Sequence, residues 1–311
     1  MHDVDSTAVT DVVTDGPYAP WPVVDDPGTW SLERSTVTTG SGDVVVHHRV
    51  GPDPVLLVHG VAGSWTTWTP LLAETGGVGE RGLVLVDLPG WGTSPAPVGA
   101  FDVERGAGIL VEVLDALGLS AVDVVGHSMG AFVALHLAVA APVRVRSLGL
   151  VSGTTTATVR AARHPWRALG TLPAFTLLRA GLLVTSGAAR GLLRGIACVG
   201  LLPLVAAPVF THVRRLDRSV LDAFVDEFRP ERFTAAARAA ASYDVERWRA
   251  VTCPVTAVLG RDDVFARVSD LDDLRRLLPD VRTAVLGDCG HFAHVEHPAV
   301  VAGLLGLDGR R

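Results

Sequence analysis

Cysteine is scarce in this chain and lysine is absent. Cys198, Cys253 and Cys289 are odd in number and widely spaced. No metal or redox spacing arises from them, which leaves reduced thiols in a cytoplasmic setting as the expectation. All 27 basic residues are arginine, a bias that accompanies abundant alanine, glycine and valine. An excess of positive charge is missing too: the net charge of −6 argues against non-specific attraction to nucleic acid. The first residues carry Asp3, Asp5 and Asp11 and lack a basic stretch followed by an apolar one, so no signal peptide is expected. The run Gly195–Thr211 is uncharged over 17 residues but includes Gly200, Pro203 and Pro208. A spanning helix needs about 20 apolar residues, so no stable transmembrane segment is expected.

What remains is a chain of 311 residues, 48% hydrophobic and 19% charged, able to bury a substantial core. Residues 1–29, with four prolines from Pro17 to Pro27, read as a poorly ordered or draped arm that Trp21 and Trp30 could pin down. From Trp30 onward strand and helix signals alternate, as in a parallel α/β sheet. Strand candidates are Glu33–Thr39, Asp43–Val50, Val55–Val58, Leu83–Val86, Ala121–Val125 and Ser147–Val151. Helical spacing over Val103–Leu119 places Ile109, Leu110, Val113, Leu114 and Leu117 along one side. After Gly153 the alternation stops, and residues 155–245 read as helices broken by prolines. Strand signals return at Val255–Leu259 and Val281–Leu286, and Ala299–Leu307 closes the chain as a helix. The expected organisation is a discontinuous core, 30–154 and 246–311, with an all-helical cap at 155–245.

The densest chemical signal is Gly126-His127-Ser128-Met129-Gly130, a G-x-S-x-G set between an apolar strand and a helix. That context puts a serine at the apex of a sharp strand-to-helix turn. A serine hydroxyl is a weak nucleophile and needs a base, which in turn needs an orienting acid. Downstream, Gly260-Arg261-Asp262-Asp263 and Gly290-His291 each follow a strand. Either aspartate could supply the acid, and His127, His294 and His297 compete with His291 as base. The spacing of three between His291, His294 and His297 could suggest metal ligands, but no cysteine or carboxylate set completes such a site. His294 and His297 are therefore expected at a helix start or on the surface.

These motifs resemble the α/β-hydrolase superfamily over about 44–153 and from 253 to the end. The matches are Leu57-Val58-His59-Gly60, Asp87-Leu88-Pro89-Gly90-Trp91-Gly92-Thr93-Ser94, the serine turn, Gly260-x-x-Asp263, and Gly290-His291 followed by Glu296-His297-Pro298. The resemblance implies a mostly parallel central sheet flanked by helices, with the cap inserted. It implies Ser128 as nucleophile, His291 as base and Asp263, the fourth position of its motif, as acid. It also implies backbone N–H donors to an oxyanion from Met129 and from Val61 or Ala62. His59 is expected to hold its loop. Trp91 and Phe292 are the side chains expected against substrate, with packing of the loop as the other reading of Trp91.

The implied activity is hydrolysis of an ester-like or related acyl bond of a small, lipophilic substrate, without metal or organic cofactor. Two rival readings use the same motifs. Cys289-Gly290-His291 resembles carbon–carbon hydrolases of ring-cleavage products, although Phe292 stands where those have tryptophan; cofactor-free haloperoxidases and perhydrolases also share the triad. A non-catalytic ligand-binding protein is the rival from outside enzymology. Ser128 stands where epoxide hydrolases and haloalkane dehalogenases place aspartate, which disfavours both. Between Ala168 and Val213 the only charged residues are Arg179, Arg190 and Arg194. They either leave a lipophilic pocket or face it and select an anion.

Overall fold

A computed structural model describes residues 12–14, 16–97, 99, 102–185 and 187–308. Nine strands form one sheet: β1 (Val12–Thr14), β2 (Glu33–Thr39), β3 (Gly42–Arg49), β4 (Val55–Val58), β5 (Leu83–Val86), β6 (Val122–His127), β7 (Val145–Val151), β8 (Val255–Gly260) and β9 (Val281–Leu286). Their spatial order is β1-β9-β8-β7-β6-β4-β5-β3-β2. Among the described residues only the β2–β3 and β3–β5 pairs are antiparallel. The central strands β4, β5 and β6 are buried at every position. That follows from helices covering both faces of the sheet and explains why these strands read as apolar runs rather than alternations.

β6 runs two residues beyond the apolar stretch, because Gly126 and His127 still pair with Leu150 and Val151 of β7. The helix Met129–Ala140 starts directly after Ser128 and is buried from Met129 through Ala138, as an all-round apolar helix must be. Beside it lies Val103–Ala116, capped by the Asp102 carboxylate on the Arg105 N–H at 2.6 Å. This helix ends three residues before the apolar spacing does, at a turn where Gly118 takes φ +67°. Between β7 and β8 the described residues form helices and no strand.

The described part of the arm, 12–14 and 16–29, takes part in the structure; residues 1–11 and 15 lie outside the described residues. Val12–Thr14 extend the sheet parallel to β9, a strand the sequence gives no sign of. Tyr18, rather than either tryptophan, is its buried anchor. The Tyr18 carbonyl accepts from Arg215 at 2.6 Å, and that guanidinium lies 4.7 Å from the centre of the Tyr18 ring. Further along, the Val23 N–H donates to Ser219 and the Val24 N–H to Thr69. The arm therefore binds both to the helical insert and to the core. Trp21 is partly exposed, its indole donating to Glu74 at 2.9 Å.

Candidate active site

Ser128 sits at φ 51° and ψ −117°, a conformation that L-residues adopt only when their surroundings impose it. Here its N–H donates to the Val151 carbonyl and its own carbonyl accepts from Thr154, both at 3.0 Å. The flanking glycines make the turn possible. A Cβ on Gly126 would lie 2.5 Å from the Ala131 backbone, and one on Gly130 would fall on the Val58 and His59 carbonyl oxygens. The spacing of the motif is thus a packing requirement of strand against helix.

His291 Nε2 lies 3.0 Å from Ser128 Oγ, and His291 Nδ1 lies 2.9 and 3.0 Å from the two oxygens of Asp263. The carboxylate accepts the Nδ1 proton, so Nε2 presents its lone pair to the serine. Asp263 Oδ1 also accepts from the Phe265 and Ala266 N–H groups, and the side chain is fully buried. Asp262 is exposed; its backbone N–H donates to the Cys289 carbonyl. Of the two adjacent aspartates, Asp263 is the one that meets His291.

Ser128, Met129, Val61, His291 and Phe292 line one cavity of about 170 Å³. Met129 is the first residue of its helix, where N–H groups have no partner within the helix. Trp91 does not line the cavity. It is fully buried and its indole donates to the Val61 carbonyl at 2.9 Å, so it fixes the Val61 loop from behind rather than facing substrate. The Asp87 carboxylate works beside it, accepting from the Trp65 and Thr93 N–H groups at 2.9 Å. His59 holds the same region: its Nδ1–H donates to the Gly60 carbonyl and its Nε2 accepts from Leu88.

The cavity roof comes from the helices between β7 and β8, through Phe175, Leu178, Leu193, Val205, Phe224 and Phe233. No aspartate, glutamate or arginine is among the described residues lining it. Arg179, Arg190 and Arg194 are turned elsewhere, donating to the Ala162 carbonyl, the Asp226 carbonyl and the Asp226 carboxylate.

Two residues take supporting positions that the sequence did not give them. His127, a competing candidate for the base, instead braces His291: its Nε2–H donates to the His291 carbonyl at 3.0 Å. Glu296, within a quoted motif but without an assigned role, accepts from the Gly290 N–H at 2.9 Å and the Thr211 N–H at 2.8 Å. It joins the His291 loop to the middle of the insert, where Thr211 stands between the helices Leu202–Ala206 and Arg218–Glu227. The His291 N–H adds a bond to the Val209 carbonyl at 2.9 Å. His294 and His297 do stand at helix starts, His294 in Ala293–Glu296 and His297 capping Pro298–Leu304, but both are buried rather than on the surface. His294 packs on Trp68 with ring centres 4.5 Å apart, and His297 donates to the Asp288 carbonyl.

The buried histidines make stability depend on pH. Burial holds His59 down to about 4 and His294 to about 3, the latter with help from His291. Burial also lowers His127 well below its ordinary value, with His294 and His291 adding to it. Unfolded, each takes a proton near pH 6.5, whereas the native protein refuses it, so their contribution is intact above pH 6.5 and lost as pH falls. By pH 4.5, His59 and His294 each cost about 3 kcal/mol, with His127 acting in the same direction. Glu296 opposes them: burial pushes its carboxyl up to about 7. Its contribution is complete below pH 4.5 and lost as pH rises through 7, returning about 3 kcal/mol on acidification. His47 and His136 are lowered and Asp87 and Asp270 raised by burial, one pair on each side of the balance. The histidines win. Urea unfolding should show stability falling by about 3 kcal/mol or more between pH 7 and pH 4.5, and the His294→Phe variant should show a shallower fall. A flat or rising wild-type profile would mean that these imidazoles find protons in the native state.

A sequence model of the α/β-hydrolase fold family matches residues 53–298. With the sheet order and the serine turn described above, the chain belongs to that family. It is 28% identical over 283 residues to a 2-hydroxy-6-oxononadienedioate/2-hydroxy-6-oxononatrienedioate hydrolase of Dechloromonas aromatica (strain RCB), covering 84% of this chain and 89% of the relative. It is 29% identical over 259 residues to a putative carbamate hydrolase of Escherichia coli O17:K52:H18, covering 81% and 85%. Among solved structures, a putative α/β hydrolase from Nostoc sp. PCC 7120 matches with a TM-score of 0.71 at 23% identity, over 90% of this chain and 99% of that one. A thermophilic esterase from Thermogutta terrifontis matches with a TM-score of 0.65 at 21% identity, over 88% and 97%. The hydrolase fold and these hydrolase relatives support an enzyme.

Proposed function

We propose that the protein is a serine hydrolase that cleaves an ester or related acyl bond of a small, uncharged, lipophilic substrate. The observation that carries this reading is the hydrogen-bonded chain Asp263–His291–Ser128 opening into a cavity whose described lining bears no charged side chain. Ser128 Oγ attacks the carbonyl carbon while His291 Nε2 takes its proton, and Asp263 stabilises the imidazolium. The developing oxyanion is met by the N–H groups of Met129 and Val61, fixed in place before the reaction begins. His291 returns the proton to the leaving group. A water deprotonated by His291 then attacks the acyl-enzyme and frees Ser128. We take residues 155–245 as the cap, roofing a core made of 30–154 and 246–311, and assign the enzyme to the cytoplasm, where its three free cysteines would stay reduced.

The Dechloromonas relative is named for a dioate, a substrate with two carboxylates. Nothing cationic among the described lining residues would receive them here, because the insert's arginines bond away from the cavity. A neutral acyl chain suits this roof better. Each buried methylene adds roughly 0.8 kcal/mol of binding, part of it realised in the transition state. With p-nitrophenyl esters, kcat/KM should rise several-fold per added pair of methylenes from acetyl to about hexanoyl, then level off as the cavity fills. A flat profile together with preference for carboxylate-bearing esters would overturn the lipophilic assignment.

A further inference from the structure

The helices that roof the cavity have a second apolar side. On Pro173–Thr185, Phe175 and Leu182 are buried, whereas Leu177 and Val184, seven residues apart, are 62% and 86% exposed. On Ala188–Cys198, Leu193 faces the cavity while its neighbour Leu192 is 60% exposed. Val199, just past the end of that helix, and Leu204, on the next helix Leu202–Ala206, continue the outward set at 69% each. Val205 belongs to both sides, 41% exposed and lining the cavity, so the outer patch is continuous with the mouth of the site. Single exposed leucines are unremarkable, but a cluster on three successive helices is a feature of interaction surfaces.

Charge identifies the partner. Residues 155–216 contain eight arginines and no aspartate or glutamate. The other 19 basic residues stand against all 33 acidic ones, so the rest of the chain carries −14. Within this segment Arg160 pairs with Asp273, on the helix Ser269–Leu277, and Arg194 with Asp226 of the next helix, Arg218–Glu227, while Arg179 and Arg190 donate to backbone carbonyls. Trp166, 86% exposed beside Arg167, repeats the pairing of apolar and cationic groups. Exposed Leu, Val and Trp interspersed with arginine is the composition of a surface that lies in the interface of an anionic bilayer. None of the described helices is long and apolar enough to cross one.

The geometry points to the helices over 173–206 as a docking surface for an anionic lipid bilayer, with the cavity mouth turned toward the acyl chains. Docking stands apart from the chemistry of Ser128; delivery of a membrane-dissolved acyl substrate to that serine rests on the hydrolase reading above. The test uses the Ser128→Ala protein, so that no lipid is consumed, and flotation with phosphatidylcholine vesicles prepared with and without phosphatidylglycerol. Binding should require phosphatidylglycerol and weaken with added salt. A Val184→Ser, Leu192→Ser, Leu204→Ser triple variant should bind at least about tenfold more weakly. None of these three side chains lines the cavity, so the same triple change in the Ser128-containing protein should leave turnover of a soluble acetyl ester unchanged. Failure to float with the anionic vesicles would overturn the proposal, and equal binding to phosphatidylcholine alone would overturn the choice of an anionic surface. Self-association in sedimentation velocity that the triple variant abolishes would assign the patch to a second copy of the chain instead.

Discussion

Ser128→Ala is expected to abolish turnover of every ester that the wild type cleaves, a loss of at least about 10⁴-fold in kcat. Alanine keeps the Cβ and the backbone bonds to Val151 and Thr154, so the turn at φ 51° stays as it is. Only the hydroxyl and its bond to His291 Nε2 disappear, which changes stability by about 1 kcal/mol or less. The comparison therefore isolates chemistry from folding. A fluorophosphonate should add to Ser128 in the wild type, located by mass spectrometry, and should leave the variant unlabelled. Near-wild-type turnover by the variant, or an adduct on another residue, would end the acyl-enzyme reading.

The adjacent aspartates give the second large effect. In Asp263→Asn the amide oxygen can keep the Phe265 and Ala266 N–H bonds, which places the amide NH₂ against His291 Nδ1. That nitrogen must then become an acceptor, the proton moves to Nε2, and the base can no longer take the proton of Ser128. A tautomer error of this kind costs about 10⁴-fold in kcat. Asp262→Asn, on an exposed side chain, should change kcat by no more than about twofold. Steady-state kinetics on both variants decides the matter. The reverse ranking would place the acid one residue earlier, and two small effects would mean that another carboxylate orients the histidine.

The central strands and the serine turn were legible in the sequence because their signals are local. Val55–Val58 and Leu83–Val86 are apolar runs because both faces of the sheet are covered, and Gly126 and Gly130 report the closeness of strand and helix. What escaped depends on residues far apart in the chain. His294 does begin a helix, but its burial appears only when Trp68 is laid against it. Glu296 gains its role only where Gly290 and Thr211 converge. Trp91 shows the converse: an aromatic beside a Pro-Gly turn suggests contact with substrate, yet the direction of its indole is set by the Val61 carbonyl. β1 escaped for another reason, since three residues carry too little periodicity to register and their pairing partner β9 lies some 270 residues away.

The double attachment of Glu296 bears on how such a protein can be altered. Val209 and Thr211, midway through the insert, are bonded to His291 and Glu296, so this stretch of the roof belongs with the loop beneath it. Anyone grafting a different roof onto this scaffold to change its substrate range would find the natural seam misleading. A cut at β8 would carry away the groups that keep His291 in register with Ser128. A cut before Val209 leaves them in place, and the exchangeable module therefore ends inside the helical insert.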